Sequence, residues 1–286
     1  MVTIDILTPV FQSGEVLETC IRSVNDQGSH VSHYIQDGNS KDRSTREVLS
    51  RYSDRVVSEP DQGMYDALNR AFSRGSGDVI GHLNADEQYL PDVLGRVAEI
   101  FASSPHLDVL CGDMIVVDKR WKPICYRVTV RPPEGSAAHI ALSVPTCAMF
   151  IRRSVYDGKQ LHYRTDLKAI SDCFFVEALV KANLNWRLER APFAAFSVHG
   201  ANLSQSGVEI ADRQRAQISF SRAKSLRFRI QIWIARLLAG AYRSRNIDTR
   251  LYTSQHLTER ARIHCPHLGW RHPTIGNETP FANPRG

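Results

Sequence analysis

Asp86 and Glu87 stand side by side in Leu83-Asn84-Ala85-Asp86-Glu87, directly after a short apolar run. Two adjacent carboxylates at such a place can hold a hard divalent cation, Mg²⁺ or Mn²⁺, and that cation can bridge a diphosphate. Just upstream lies a second polar block, Ser58-Glu59-Pro60-Asp61-Gln62-Gly63-Met64-Tyr65-Asp66-Ala67-Leu68-Asn69. Thr8-Pro9-Val10-Phe11 and Asp37-Gly38-Asn39-Ser40 follow apolar runs in the same way. Asp37 and Asp61 have the chemistry to accept hydrogen bonds from a base or a ribose, and Gly38 and Gly63 allow close backbone approach or positive φ. One acid after a strand commonly caps the next helix. Four polar turns recurring after four apolar runs call for a shared purpose.

The elements that would position them alternate. Val2–Thr8, Val31–Gln36, Arg55–Ser58, Asp78–Leu83 and Leu107–Cys111 read as strands. Helical patterns lie between them: Glu15–Gln27, a stretch opened by the capping-box pattern Ser44-Thr45-Arg46-Glu47, Met64–Ser73, and one from about Pro91 to Ser103. Such alternation predicts an α/β fold, a largely parallel Rossmann-like sheet with helices on both faces. The carboxyl ends of its strands then line one crevice. After Gly112 the rhythm changes to strand patterns at 114–117 and 124–130, a helix at Asp172–Lys181, and strands near 186–188 and 194–198.

The 286 residues suffice for a full core, and the net charge of +6 is unevenly spread. Residues 221–286 hold twelve Lys/Arg and three Asp/Glu, a net of +9, and the preceding 220 hold 24 and 27, a net of −3. The expected organisation is therefore a catalytic body, 1–220, and a basic tail, 221–286. An acidic body without aromatic–basic interleaving excludes a nucleic-acid binder. Arg222, Arg229, Arg236 and Arg243 recur every seven residues, a drift of about 20° per step on a helix. With Trp233 and the neighbouring apolar residues they form a basic amphipathic pattern. It suits either an anionic membrane surface or packing on the body. The six cysteines are scattered without a C-x-x-C pair, the pattern of buried reduced thiols. No apolar run reaches the ~18 residues of a spanning helix, and no cationic leader precedes the first strand. A cytoplasmic protein, possible at the inner face of a membrane through its tail, is expected.

The quoted segments resemble bacterial family-two glycosyltransferases of the GT-A (nucleotide-diphospho-sugar transferase) fold, in particular the branch that builds colanic acid and O-antigens. The resemblance spans about residues 3–205. It implies an inverting transfer of sugar from a nucleotide-diphosphate donor, expected to be UDP-linked, to a hydroxyl of a cell-envelope glycan or lipid-linked acceptor. It implies donor contacts from Thr8, Pro9, Phe11, Asp37, Ser40, Asp61, Gly63, Asp66, Asn69, Asn84 and Asp86. Asp86, Glu87 and His199 would hold the metal, Mg²⁺ or Mn²⁺. Asp172 matches the general-base position, although Ser171-Asp172 also has the form of a helix cap. Glu87 departs from the second aspartate usual in the family, and Cys147 stands where relatives often carry a histidine. A degenerate nucleotide-sugar-binding scaffold is thus one alternative. A sugar-phosphate nucleotidyltransferase is another, but Thr8–Glu15 lacks the Gly- and Arg/Lys-rich loop such enzymes place after the first strand.

Overall fold

The computed structural model describes residues 1–14, 16–198, 207–218, 220–253 and 257–266. The expected alternation is present in its first third. Strands β1 (Ile4–Val10), β2 (Val31–Asp37), β3 (Val56–Ser58) and β4 (Val79–His82) are joined by helices α1 (Val16–Asn25), α2 (Arg43–Ser50) and α3 (Met64–Arg74). They pair in parallel in the order β3-β2-β1-β4, with Leu7 in register with Tyr34 on one side and His82 on the other. Side chains alternate across β1: Ile4 and Ile6 pack with Cys20 and Val24 of α1, and Leu7 packs with Tyr65 and Leu68 of α3. Both faces of the sheet are therefore covered, as continuous apolar strands require.

The second half is more intertwined than the sequence pattern suggests. Short β5 (Glu87–Tyr89) precedes α4 (Val93–Ser103); then come β6 (Val109–Asp118), β7 (Pro123–Arg127), β8 (Met149–Arg152), α5 (Arg153–Gly158), α6 (Ser171–Lys181) and β9 (Trp186–Val198). The sheet continues β4-β8-β6-β9-β5, with β7 beside β6. β8 is inserted antiparallel between β4 and β6, while β6 and β9 run with the N-terminal strands. β6 and β9 are each one strand where a pair of fragments is predicted. Gly112 and Pro192 look like breakers, but both sit in a register shift that keeps the strands paired. Gly112 is required there, since a Cβ would stand 2.2 Å from the ring of the fully buried Phe193.

The capping-box expectation is corrected. Asp42, not Ser44, caps α2 by accepting from the Thr45 amide at 2.8 Å, and Glu47 pairs with Arg43 on the helix surface. All six cysteines are buried thiols.

Beyond residue 207 stand α7 (Val208–Gln217), α8 (Arg222–Leu238) and an antiparallel hairpin, β10 (Arg245–Thr249) with β11 (Ala261–Cys265). Helix α8 packs Phe228 and Ile232 on Val130 and Ile140. Its other side leaves Leu226, Ile230, Trp233, Ile234, Leu237 and Leu238 exposed, Leu238 at 83%. The arginine stripe is also corrected. Arg222 and Arg229 are exposed and Arg243 lies past the helix, but Arg236 is turned toward the body with a buried Nε. Among the described residues no helix is long and apolar enough to cross a membrane.

Candidate active site

The four strand ends meet. The Gly38 amide donates to the Val10 carbonyl at 2.9 Å, the Gln12 amide donates to Ser40 Oγ at 2.8 Å, and Ala85 packs with Val10. Asp61 closes over Gly38 so tightly that a Cβ there would lie 2.8 Å from its Oδ2. Gly63, which opens α3, has φ of +113° and donates to Asp61 Oδ1 at 2.8 Å. The two glycines do what their positions suggest, one by close approach and one by positive φ.

Several of the expected contact residues hold the wall of this crevice together. Thr8 turns into the core, its hydroxyl 2.8 Å from Nε2 of buried His33. Asp37 is 1% exposed and its carboxylate takes hydrogen bonds from the Ser40 amide, the Ser40 hydroxyl and the Ser58 hydroxyl. Pro9 is buried within β1, and Phe11 just beyond it is 62% exposed at the rim. Asp66 accepts from the Gln62 amide and pairs with Arg70, which also reaches Glu59 at 2.9 Å. Asn69 clamps the backbone of Tyr163 from both sides, donating to its carbonyl at 2.8 Å and accepting from its amide at 2.9 Å. Thr8, Asp37, Ser40, Asp66 and Asn69 thus bond to protein partners, and Phe11 and Gly63 are exposed at the rim.

Asp86 and Glu87 do not act as a matched pair. Asp86 is half-buried in the turn between β4 and β5. Glu87 opens β5 opposite Phe196, is 3% exposed, and accepts from the Asn84 amide at 2.7 Å. Burial first, then the negative charge of Asp86, pushes the Glu87 carboxyl up to about 8. Burial thus favours its protonated form. The expected pair of metal carboxylates is thus unequal in setting: Glu87 is buried in the sheet, while Asp86 is half-buried in the turn. Among the described residues no three His, Cys, Asp or Glu side chains form a metal cage. His199, the third expected ligand, lies outside the described residues. One carboxylate suits a Mg²⁺-like ion that takes its remaining oxygens from a diphosphate and water.

Glu87 carries a testable pH dependence. Its folded value lies above the unfolded one, so its contribution to stability is complete below about 4.5 and lost as pH rises through about 8. Glu87→Gln removes that loss. In metal-free protein the unfolding free energy of the variant, read from urea denaturation, is expected to gain on the wild type between pH 5 and 8, by at most about 1.4 kcal/mol per pH unit.

Asp172 is in the first turn of α6, and Ile170 rather than Ser171 occupies the capping position. Its Oδ1 accepts from the Cys173 amide at 2.8 Å and from the Tyr65 hydroxyl at 3.3 Å. Burial raises its pKa, partly offset by those bonds. Tyr65 stacks on Tyr163, with centroids 5.5 Å apart, and the Tyr163 hydroxyl lies 3.4 Å from His82 Nδ1. His82 Nε2 in turn is 2.8 Å from Asn84 Oδ1. Burial lowers the His82 pKa to about 4, so the ring is neutral. An amide oxygen as partner assigns the proton to Nε2. The chain Asp172–Tyr65–Tyr163–His82–Asn84 links α6 to the fourth strand end. Sequence reasoning passed over Tyr65 and His82, although Tyr65 sits inside the polar block next to Asp66.

With this geometry, residues 5–158 match the Glycosyl transferase family 2 profile. The chain belongs to glycosyl transferase family 2. The match stops before Asp172 and His199. An uncharacterized glycosyltransferase from Nostoc sp. is 27% identical over 129 residues, 41% of this chain and 40% of that protein. A PGL/p-HBAD biosynthesis glycosyltransferase from Mycobacterium tuberculosis is 29% identical over 126 residues, 41% of this chain and 49% of its own. This family-2 chain therefore aligns with less than half the length of these curated relatives. In fold it is similar to S. aureus TarS 1-349 in complex with UDP-GlcNAc (TM-score 0.56, 15% identity, 84% of this chain and 75% of that one). It is also similar to the mannosyltransferase PcManGT from Pyrobaculum calidifontis in complex with GDP-Man and Mn²⁺ (TM-score 0.52, 14% identity, 72% and 60%). The family-2 sheet is the expected GT-A-like α/β architecture.

Proposed function

We propose that the protein is an inverting glycosyltransferase that moves a sugar from a nucleoside-diphosphate donor, UDP-linked, to a hydroxyl of a cell-envelope glycan or lipid-linked acceptor. The observation that carries this reading is the run of contacts from Asp172 through Tyr65, the stacked Tyr163 and His82 to Asn84, which connects a half-buried carboxylate to the fourth strand end. The family match and the UDP-GlcNAc complex of TarS support it from outside.

Phe11 would stack on the base at the crevice rim, and Asp61 and the Gly63 turn would take the ribose. Asp86 would hold Mg²⁺ or Mn²⁺, which when bound offsets charge developing on the departing diphosphate. The Mn²⁺ complex of PcManGT supports that assignment. Asp172 would take the proton from the acceptor hydroxyl as its oxygen attacks the anomeric carbon. Its raised pKa makes it a better base than a solvated aspartate, and Tyr65 aims its carboxylate. Direct displacement on the face opposite the diphosphate inverts the anomeric centre. A screen of activated sugars, following release of nucleoside diphosphate, tests the reading: no release from any donor with Mg²⁺ or Mn²⁺ present would leave the non-catalytic scaffold in its place.

The division into a catalytic unit, 1–220, and a basic appendage, 221–286, belongs to the same proposal, as does a cytoplasmic site at a membrane surface. Exposed Trp233, Ile230 and Leu237 beside Arg229 and Lys224 suit an anionic bilayer. Ile230→Asp with Leu237→Asp alters only exposed positions, so folding is expected to be unchanged. Flotation with phosphatidylglycerol vesicles should fall at least about fivefold, each apolar contact being worth roughly 1 kcal/mol or more.

A further inference from the structure

Strand β5 is the outermost strand of the sheet and only three residues long, yet it begins at the turn that holds Asp86. Two hydrogen bonds close that turn. The Asn84 amide donates to the Glu87 carboxyl at 2.7 Å, and the Glu87 amide donates to the Asn84 carbonyl at 3.1 Å. Ala85 and Asp86 lie between them. Among the described residues β5 pairs along its backbone with β9 alone. So short an edge strand has too few ladder bonds to fix the turn by itself.

Gln88, the middle residue of β5, is fully buried. Its side-chain amide grips the backbone of Tyr252, 164 residues further along the chain. Oε1 accepts from the Tyr252 amide at 2.7 Å, and Nε2 donates to the Tyr252 carbonyl at 3.1 Å. The side chain thus offers the donor and acceptor that a neighbouring strand would have supplied. Tyr252 is itself held in place by other contacts. It bridges to Leu257, and the neighbouring Leu251 takes the Thr258 amide on its carbonyl and donates to the Thr258 hydroxyl, both at 2.9 Å. Leu251 and Cys265 belong to the same buried apolar cluster as Tyr89, Leu90 and Val117. The Tyr126 amide donates to the Pro266 carbonyl at 3.1 Å, and the Arg245 guanidinium lies 4.6 Å from the centre of the Tyr126 ring. The hairpin β10–β11 is therefore anchored on the sheet without help from Gln88. A buried amide that lost its two partners would be left unsatisfied, which keeps the clamp closed in the folded chain.

We propose that the C-terminal segment braces the catalytic turn, with Gln88 as its positioning residue. Held to Tyr252, Gln88 fixes the residue that follows the turn and so the direction of the Asp86 carboxylate. Strand alternation points Gln88 away from the face of Glu87, so the brace acts through the backbone and not as a metal ligand. It rests on the transferase reading only for what Asp86 holds. Full-length Gln88→Met keeps the length of the side chain and removes both bonds. Hydrogen exchange over Asn84–Tyr89 is expected to quicken at least about fivefold and Mn²⁺ affinity, by calorimetry with UDP present, to weaken at least about fivefold, while transfer at saturating Mn²⁺ stays within about twofold. Leu251→Ala, which loosens the brace from its own side, should repeat both changes. Leu107→Ala, a core truncation just ahead of β6, should give neither. Unchanged exchange in folded Gln88→Met overturns the brace, and so do equal changes in Leu107→Ala. Faster exchange with unaltered Mn²⁺ affinity overturns the positioning role. Should Gln88→Met fail to fold, Leu251→Ala decides by the same readouts. Faster exchange in a protein whose wild type binds no Mn²⁺ with UDP would sink the metal assignment and leave the brace standing. Metal-dependent transfer by a Gln88→Met protein indistinguishable from the wild type in exchange and affinity would do the reverse.

Discussion

Asp172→Asn is expected to lower sugar transfer by about 10²–10⁴-fold, the range a positioned general base contributes. Its affinity for UDP should stay within about twofold, because the side chain touches α3 rather than the nucleotide turns. An asparagine still accepts from Tyr65 and from the Cys173 amide, so the fold is retained and the loss reports on proton transfer. Single-turnover rates against UDP affinity by calorimetry separate the two. Tyr65→Phe gives a second readout. The Tyr65 hydroxyl stabilises the ionised carboxylate, so removing it raises the Asp172 pKa and moves the acid limb of the pH–rate profile upward. An unmoved limb would show that Asp172 is not the group that titrates.

Asp86→Asn is the second large effect. Transfer should fall by about 10²–10³-fold, equivalent to the several kcal/mol a Lewis acid supplies, and the Mn²⁺ concentration for half-maximal rate should rise. Glu87→Gln is expected to stay within about fivefold of the wild type, since the neutral amide mimics the protonated form that burial favours. Rates measured across a Mn²⁺ series for the two variants decide between one ligand and two. Equal losses would restore the paired-carboxylate claw and show that cation binding draws the Glu87 proton off.

The contrast between these neighbours shows where a linear reading succeeds. The convergence of Val10, Gly38, Asp61 and Ala85 follows from local rules: apolar runs, breakers, and short connections that force parallel pairing in one order. Gly63 was legible because its positive φ belongs to the turn that opens α3, and Gly38 because Asp61, which closes over it, ends the next strand of the sheet. Glu87 was not, because its burial is decided by β9, whose Phe196 arrives more than a hundred residues later to complete the sheet. The same holds for Asp37, Thr8 and Asn69. Their residue types suit ligand contact, but Ser58, His33 and Tyr163 reach them first. The heptad of arginines misled because spacing places residues on a common stripe of a long helix without saying where the helix stops. Here it ends at Leu238, and its rotation against Val130 and Ile140 turns Arg236 inward.

Helix α8 also acts as a ruler. One face packs Phe228 and Ile232 on the body and the opposite face turns Ile230 and Ile234 outward, so a single helix diameter, about 10 Å, separates the two. An enzyme resting on a bilayer by that outer face would hold its crevice at a nearly constant height above the headgroups. It would then extend carbohydrate chains while they are still short and reject those whose growing tip has risen out of range.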